Sequence, residues 1–241
     1  MFRSPSRRTP RCMSRILAFA APVALLITLL VAPAEYAQFH THRETNANRR
    51  ARIERQIQDT YTHRFEVAGG GGYLRFRSGQ FTQKNNEVDF FLNTTYFFNE
   101  KLGATAEVRG YYGRAKILNG LPFNENSLIG YPQISEYPFM VGPTYRVYLH
   151  QHIGGSIFAL GGTAIGKFDG DTKGRPSQSL GLWPSTTAKP AFSVGANIDI
   201  NLFPNLAFRI APNYMGTTFG GSLQNNLGVN IGAVYRFGRQ K

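Results

Sequence analysis

Cysteine is nearly absent from this chain of 241 residues: the one example, Cys12, stands ahead of the longest apolar run. A chain that sheds its first residues on export would keep none, which excludes a disulfide framework, a thiolate nucleophile and a cysteine-based metal site. Because Cys12 precedes the apolar run, lipoprotein attachment is not expected either. Charged residues are scarce, at 17%, and beyond residue 35 no apolar run is long enough for a spanning helix. Histidine is confined to His40, His42, His63, His150 and His152, and none begins a His-x-Ser pair. A lipid-modifying enzyme needs a serine nucleophile beside a histidine, so enzyme chemistry is not expected. His150 and His152 alone are too few ligands for a metal, and Asp169-Gly170-Asp171 is a calcium-loop fragment without its remaining acids. No cofactor is expected.

What the chain does have is 26 Gly, 19 Phe and 12 Tyr, the composition of aromatic strands joined by tight turns. Its mean hydropathy of -0.27 is near neutral. Strands that face lipid on one side and a polar lumen on the other average to such a value. The N-terminus carries Arg3, Arg7, Arg8, Arg11 and Arg15, then an apolar run from Ile16 to Val31, then Ala32-Pro33-Ala34. That order predicts a removable signal peptide over 1–37, cut after Ala34 or Ala37, with Met1 or Met13 as the start. Arg7-Arg8 hints at twin-arginine export, but the general secretory route suits an unfolded precursor better. Residues 1–37 hold five basic residues and one acid, so the excess charge falls from +13 to +9 in the mature chain. Export argues against nucleic acid as the partner of this charge and favours anionic lipid and lipopolysaccharide.

Residues 38–62 form a basic arm with Arg49, Arg50, Arg52 and Arg55. Ile53, Ile57 and Tyr61 recur every fourth residue, the stripe of one helix, and a basic linker fits the composition equally. From 63 to 238 the period is two. Val88, Phe90, Leu92, Thr94, Tyr96 and Phe98 share one face, and Leu102, Ala104, Ala106 and Val108 oppose Thr105, Glu107, Arg109 and Tyr111. Phe139, Val141, Pro143, Tyr145 and Val147 likewise oppose Thr144, Arg146 and Tyr148. Three more runs repeat the pattern, with Asp199, Arg209 and Arg236 on their polar faces. Two strands, over about 65–77 and 153–168, admit no register: one contains the run from Gly69 to Gly72 and the other is apolar on both faces.

Short links at 99–101, 150–152 and 203–205 alternate with long ones at 78–87, 113–136, 169–190 and 216–226. The count is eight strands, and the asymmetry predicts an all-β, antiparallel, up-and-down transmembrane barrel with its arm and C-terminus in the periplasm.

The last run, Asn230-Ile231-Gly232-Ala233-Val234-Tyr235-Arg236-Phe237, resembles the end signal by which the barrel assembly machinery recognises outer-membrane precursors. Its assembly residues would be Asn230, Gly232, Tyr235 and Phe237, with Gly238 and a tail over 239–241 following. With the alternation and loops, the region from Phe65 to Phe237 resembles the OmpA-type transmembrane barrel or the related small porin-like family. The resemblance implies an integral protein of a Gram-negative outer membrane. It does not extend to the peptidoglycan-binding domain of full-length OmpA proteins.

Eight strands enclose a lumen that side chains fill. Glu107, Arg109, Arg146, Asp199, Arg209 and Arg236 fall on inward faces, where a plug of neutralised charges is favoured over a gate for a narrow conductance. The expected role is structural or one of surface interaction, with a narrow channel for small polar or amphipathic solutes as the alternative and a lipid-modifying enzyme behind both. Loops 113–136, with Leu118, Leu121, Phe123, Leu128, Ile129 and Tyr131, and 169–190, with Trp183, either bind an extracellular ligand or cap the barrel.

Overall fold

The computed structural model describes residues 45–239, apart from 81, 83, 118–120, 125–126 and 130. The expected signal peptide, Cys12, His40, His42, Leu118 and the last two residues lie outside the described residues, as do the side chains of Leu121, Phe123, Leu128 and Ile129.

A helix, α1 (Asn46–Tyr61), opens the described chain. It contains neither Gly nor Pro and is built largely from Ala, Arg, Gln and Glu, which favour helix. Ile53, Gln56, Ile57, Thr60 and Tyr61 are its more buried positions from residue 53 onward, at the three- and four-residue spacing of one face. Ten strands follow: β1 (His63–Arg77), β2 (Lys84–Phe97), β3 (Leu102–Arg114), β4 (Leu121–Asn124), β5 (Ser127–Ile129), β6 (Gln133–Leu149), β7 (Ile153–Gly170), β8 (Thr186–Phe203), β9 (Leu206–Thr217) and β10 (Gln224–Arg239). Eight of them form a closed barrel in the order β1-β2-β3-β6-β7-β8-β9-β10, each antiparallel to its neighbours, and β10 pairs back with β1. The small hairpin β4–β5 stands between β3 and β6.

The turns at 98–101, 150–152 and 204–205 lie at one end of the barrel, together with the start of β1 and the end of β10. In the first of them the Asn99 side chain accepts the amides of Lys101 and Leu102, an arrangement that tightens the link. At the opposite, loop end the links are 78–83, 115–132, 171–185 and 218–223. All four are shorter than alternation alone predicts. Hydrophobic alternation marks only the part of a strand that needs an apolar face, whereas backbone pairing runs on into polar residues such as Lys84, Arg114 and Gln133.

The outward face carries an apolar belt. Phe65, Tyr96, Phe98, Tyr235 and Phe237 gather near the turn end, with Phe65 stacked on Phe237 at 5.4 Å and 5.2 Å from Tyr96. Near the loop end Phe90, Tyr112 and Tyr137 form a second ladder at 6.2 and 5.8 Å, and Phe192 meets Tyr214 at 5.8 Å. Val141, Ile157, Leu92 and Ile231 are exposed between them. From Phe65 to Tyr73 a strand tilted roughly 40° rises roughly 20 Å, close to the height of an outer-membrane apolar band.

One of the side chains placed inward by sequence departs from that assignment. Tyr148, grouped by sequence with the inward Thr144 and Arg146, is 54% exposed beside an exposed Val147. The β6–β7 register shifts between Arg146 and Tyr148, and such a bulge sends two successive side chains to one face.

Candidate functional site

The lumen is filled in layers. At the turn end five charged side chains, none more than 8% exposed, lock together. Three guanidinium groups converge on the Glu66 carboxylate: Arg146 at 3.3 Å, Arg236 at 3.1 Å, and Arg209. Asp199 accepts from Nε and Nη2 of Arg209, at 2.7 and 2.8 Å, and from Nη2 of Arg236 at 2.7 Å. Arg236 also donates to the Asn201 side-chain oxygen at 2.9 Å. Three cations against two carboxylates leave one positive charge in excess. Aromatic faces help to hold it: the Arg146 guanidinium lies 3.4 Å from the centre of the Phe97 ring and 5.4 Å from that of Tyr61.

Tyr61, the last residue of α1, closes this layer. Its hydroxyl donates to the His150 carbonyl at 3.0 Å and accepts the Asn201 amide at 3.0 Å, and its own carbonyl accepts Arg146. Gly154 leaves room for the ring, since a Cβ there would stand 2.7 Å from the hydroxyl. Gln151 donates to Gln56 one turn earlier in the helix.

Midway, a second network crosses the barrel. Glu107 pairs with Arg109 at 2.6 Å, and Arg109 Nη1 donates to the Asn213 side chain at 2.9 Å and to the Tyr111 hydroxyl at 3.0 Å. Asn213 passes to Asn230 at 2.6 Å, and Asn230 to Asp89 at 2.7 Å. Strands β3 and β9 stand on opposite sides of the ring, so the bond from Arg109 to Asn213 spans the lumen. Thr95, Thr105 and Thr144 add a hydroxyl ladder on β2, β3 and β6.

The loop end is sealed by apolar groups. Phe76, Phe168 and Phe219 pack within 5.2 to 6.3 Å of one another, with Leu74, Ile134 and Met215 buried around them. From the link 171–185, Leu180 and Leu182 are buried in the same cluster, and Trp183 packs against it and donates to the Arg77 carbonyl at 2.8 Å. Trp183 is therefore part of the cap, one of the two roles open to it from sequence. Between the networks and the cap lie Glu87 and Glu136, at 1% and 0% exposure. Their four carboxyl oxygens have no hydrogen-bond partner. Buried carboxyls in that state detract from stability.

All six charges placed inward by alternation are buried in the lumen, in two networks: Glu107 with Arg109, and Arg146, Asp199, Arg209 and Arg236 around Glu66. Glu66 was not found by sequence, and neither were the partners of Tyr61, Asn201 and Asn213. In the end-signal run Asn230 faces the lumen, whereas Tyr235 and Phe237 are exposed on the belt. His150 stacks on Tyr148 at 6.0 Å, and His63 lies 3.2 Å from the Thr60 carbonyl. Among the described residues no group of three His, Cys, Asp or Glu is disposed to hold a metal.

No protein-family model and no curated protein matches the chain. Solved structures do. The outer membrane protein OprG from Pseudomonas aeruginosa matches with a TM-score of 0.53 at 15% identity, over 75% of this chain and 99% of that one. Neisserial surface protein A matches with a TM-score of 0.51 at 11% identity, over 72% and 97%. Ail, the attachment invasion locus protein of Yersinia pestis, matches at 21% identity with a TM-score of 0.46, over 72% and 97%. At these identities the likeness to OprG and to the Neisserial protein is one of fold, the closed eight-stranded barrel of outer-membrane proteins.

Proposed function

We propose that the chain is an integral β-barrel protein of a Gram-negative-type outer membrane, of OmpA-type or small porin-like kind, with a structural or surface-interaction role. The reading rests on one observation above the others: Arg109 reaches Asn213 across the lumen at 2.9 Å, and with Glu107, Tyr111 and Asn230 it fills that level with hydrogen-bonded side chains. The exposed aromatic belt supports the membrane location, because a soluble protein does not leave so continuous an apolar band in water. The fold likeness points the same way.

Short turns at one end and longer links at the other favour an orientation with the arm and both barrel termini in the periplasm and the links 115–132 and 171–185 outside. In this reading the assembly machinery recognises the run ending in Tyr235 and Phe237. With Trp183, Leu180 and Leu182 committed to the cap, outward recognition falls to residues such as the exposed Tyr131.

The test is expression of the full chain in a Gram-negative host, followed by gels of the outer-membrane fraction run unheated and boiled. A band in that fraction that shifts on boiling is expected, since a closed barrel has no free strand edge for detergent to invade. A soluble periplasmic band without a shift would overturn the membrane reading.

A further inference from the structure

We propose that the outward face of β1, β2 and β3 at the loop end binds the phosphate groups of a phosphorylated outer-leaflet glycolipid. The proposal rests on the membrane reading above and adds a site to it.

The strand register collects five cations on one wall. Arg77 on β1 stands directly opposite Lys84 on β2, and Arg75 opposite Asn86. Glu87 pairs with Gly113, and continuing that register sets Asn86 beside Arg114 and Lys84 beside Lys116. Arg75, Arg77, Lys84, Arg114 and Lys116 are all exposed. Among the described residues none of the five forms an ion pair. The acids nearest in sequence, Glu87 and Asp89, do not share this face: Glu87 is buried, and Asp89 accepts Asn230 from across the β1 strand. Like charges set opposite one another across strands repel. The wall therefore favours an anion that bridges them. Lys173 and Arg175, in the link 171–185, differ in having partners within the chain and in sharing their surface with Asp169 and Asp171.

Height identifies the anion. One step below the cations, Tyr73 pairs with Val88 and Val88 with Tyr112, all exposed on the apolar belt. Groups immediately above an aromatic girdle lie at head-group level. Guanidinium forks suit phosphate oxygens, and ammonium groups add charge. The open groove bounded by Lys84, Asn86, Tyr112, Arg114, Lys116 and Tyr131 offers about 600 Å³, far more than one phosphate fills. Its amide and phenol groups can serve sugar hydroxyls, which favours a phosphorylated saccharide over a simple phospholipid.

The experiment uses the full chain folded in detergent, with the heat shift on a gel as the check of folding before any titration. Bisphosphorylated lipopolysaccharide, its dephosphorylated form and phosphatidylglycerol are the probes. The variant Arg75→Gln/Arg114→Gln/Lys116→Gln is expected to bind the bisphosphorylated form at least tenfold more weakly than the parent. Dephosphorylation should cost the parent a similar factor, and added salt should weaken its binding. The control Arg50→Gln/Arg55→Gln in α1 should bind as the parent does. A folded triple variant with undiminished binding would overturn the site, and so would phosphatidylglycerol bound as tightly as the glycolipid. A chain that never gives the shifted band would overturn the membrane reading and the site together.

Discussion

Replacing Glu66 by glutamine is expected to cost the folded barrel about 3–5 kcal/mol, the usual effect of removing one partner from a buried ionic cluster. Three guanidinium groups converge on this carboxylate, and only Asp199 would remain to balance them. At a few degrees per kcal/mol for a chain of this size, the temperature at which the unheated band gives way should fall by on the order of 10 °C. The double variant Glu66→Gln/Arg146→Gln should recover part of the loss, because it also removes one excess cation. Glu54→Gln, on the exposed side of α1, serves as the control and should change nothing. An unaltered transition in Glu66→Gln would mean that the cluster does not hold the turn end together.

The second large effect is expected from Gly232→Val. Gly232 faces Gly70 across the pairing of β1 with β10, the seam that closes the barrel. A Cβ on Gly232 would come within 2.3 Å of the Gly69 carbonyl oxygen and 2.9 Å of the Phe91 ring. The oxygen belongs to the backbone of the neighbouring strand and cannot move aside without opening the seam. Gly232→Val should therefore give no heat-shifted band, either from cells or after refolding from urea into detergent. Tyr235→Ala and Phe237→Ala offer the contrast. Both side chains are exposed on the belt, so these variants should still refold in detergent, and any defect should appear only in cells, where the assembly machinery acts. A heat-shifted band from Gly232→Val would contradict the steric account of the seam.

These two residues also mark where sequence was informative. On β3, β8 and β10 the lipid-facing and lumen-facing sets were legible, because apolar side chains recur at every second position and most of the polar ones fall between them. Glu66 was hidden because the run from Gly69 to Gly72 carries no side chains to display a period, so β1 had no register. The common partner of Arg146, Arg209 and Arg236 was lost with it. On β7, Phe158 and Leu160 line the lumen while Ile157 is exposed on the belt, and a strand apolar on both faces gives no sign of which is which. The helical stripe ending at Tyr61 could be read, but not its target. The contacts of Tyr61 with His150 and Asn201 join residues 89 and 140 positions away, set by barrel closure and not by local pattern. The same holds for Arg109 and Asn213, 104 residues apart. Loop lengths were overestimated because backbone pairing does not require an apolar side chain.

The central claim is that this is a barrel whose lumen is occupied, and ion current through a planar bilayer tests it most directly. Protein with a confirmed heat shift, inserted into the bilayer at neutral pH, should add no steady current above that of lipid alone, since the cross-lumen network and the apolar cap both block the path. Reproducible single-channel steps from the same preparation would contradict the account and make the chain a narrow channel.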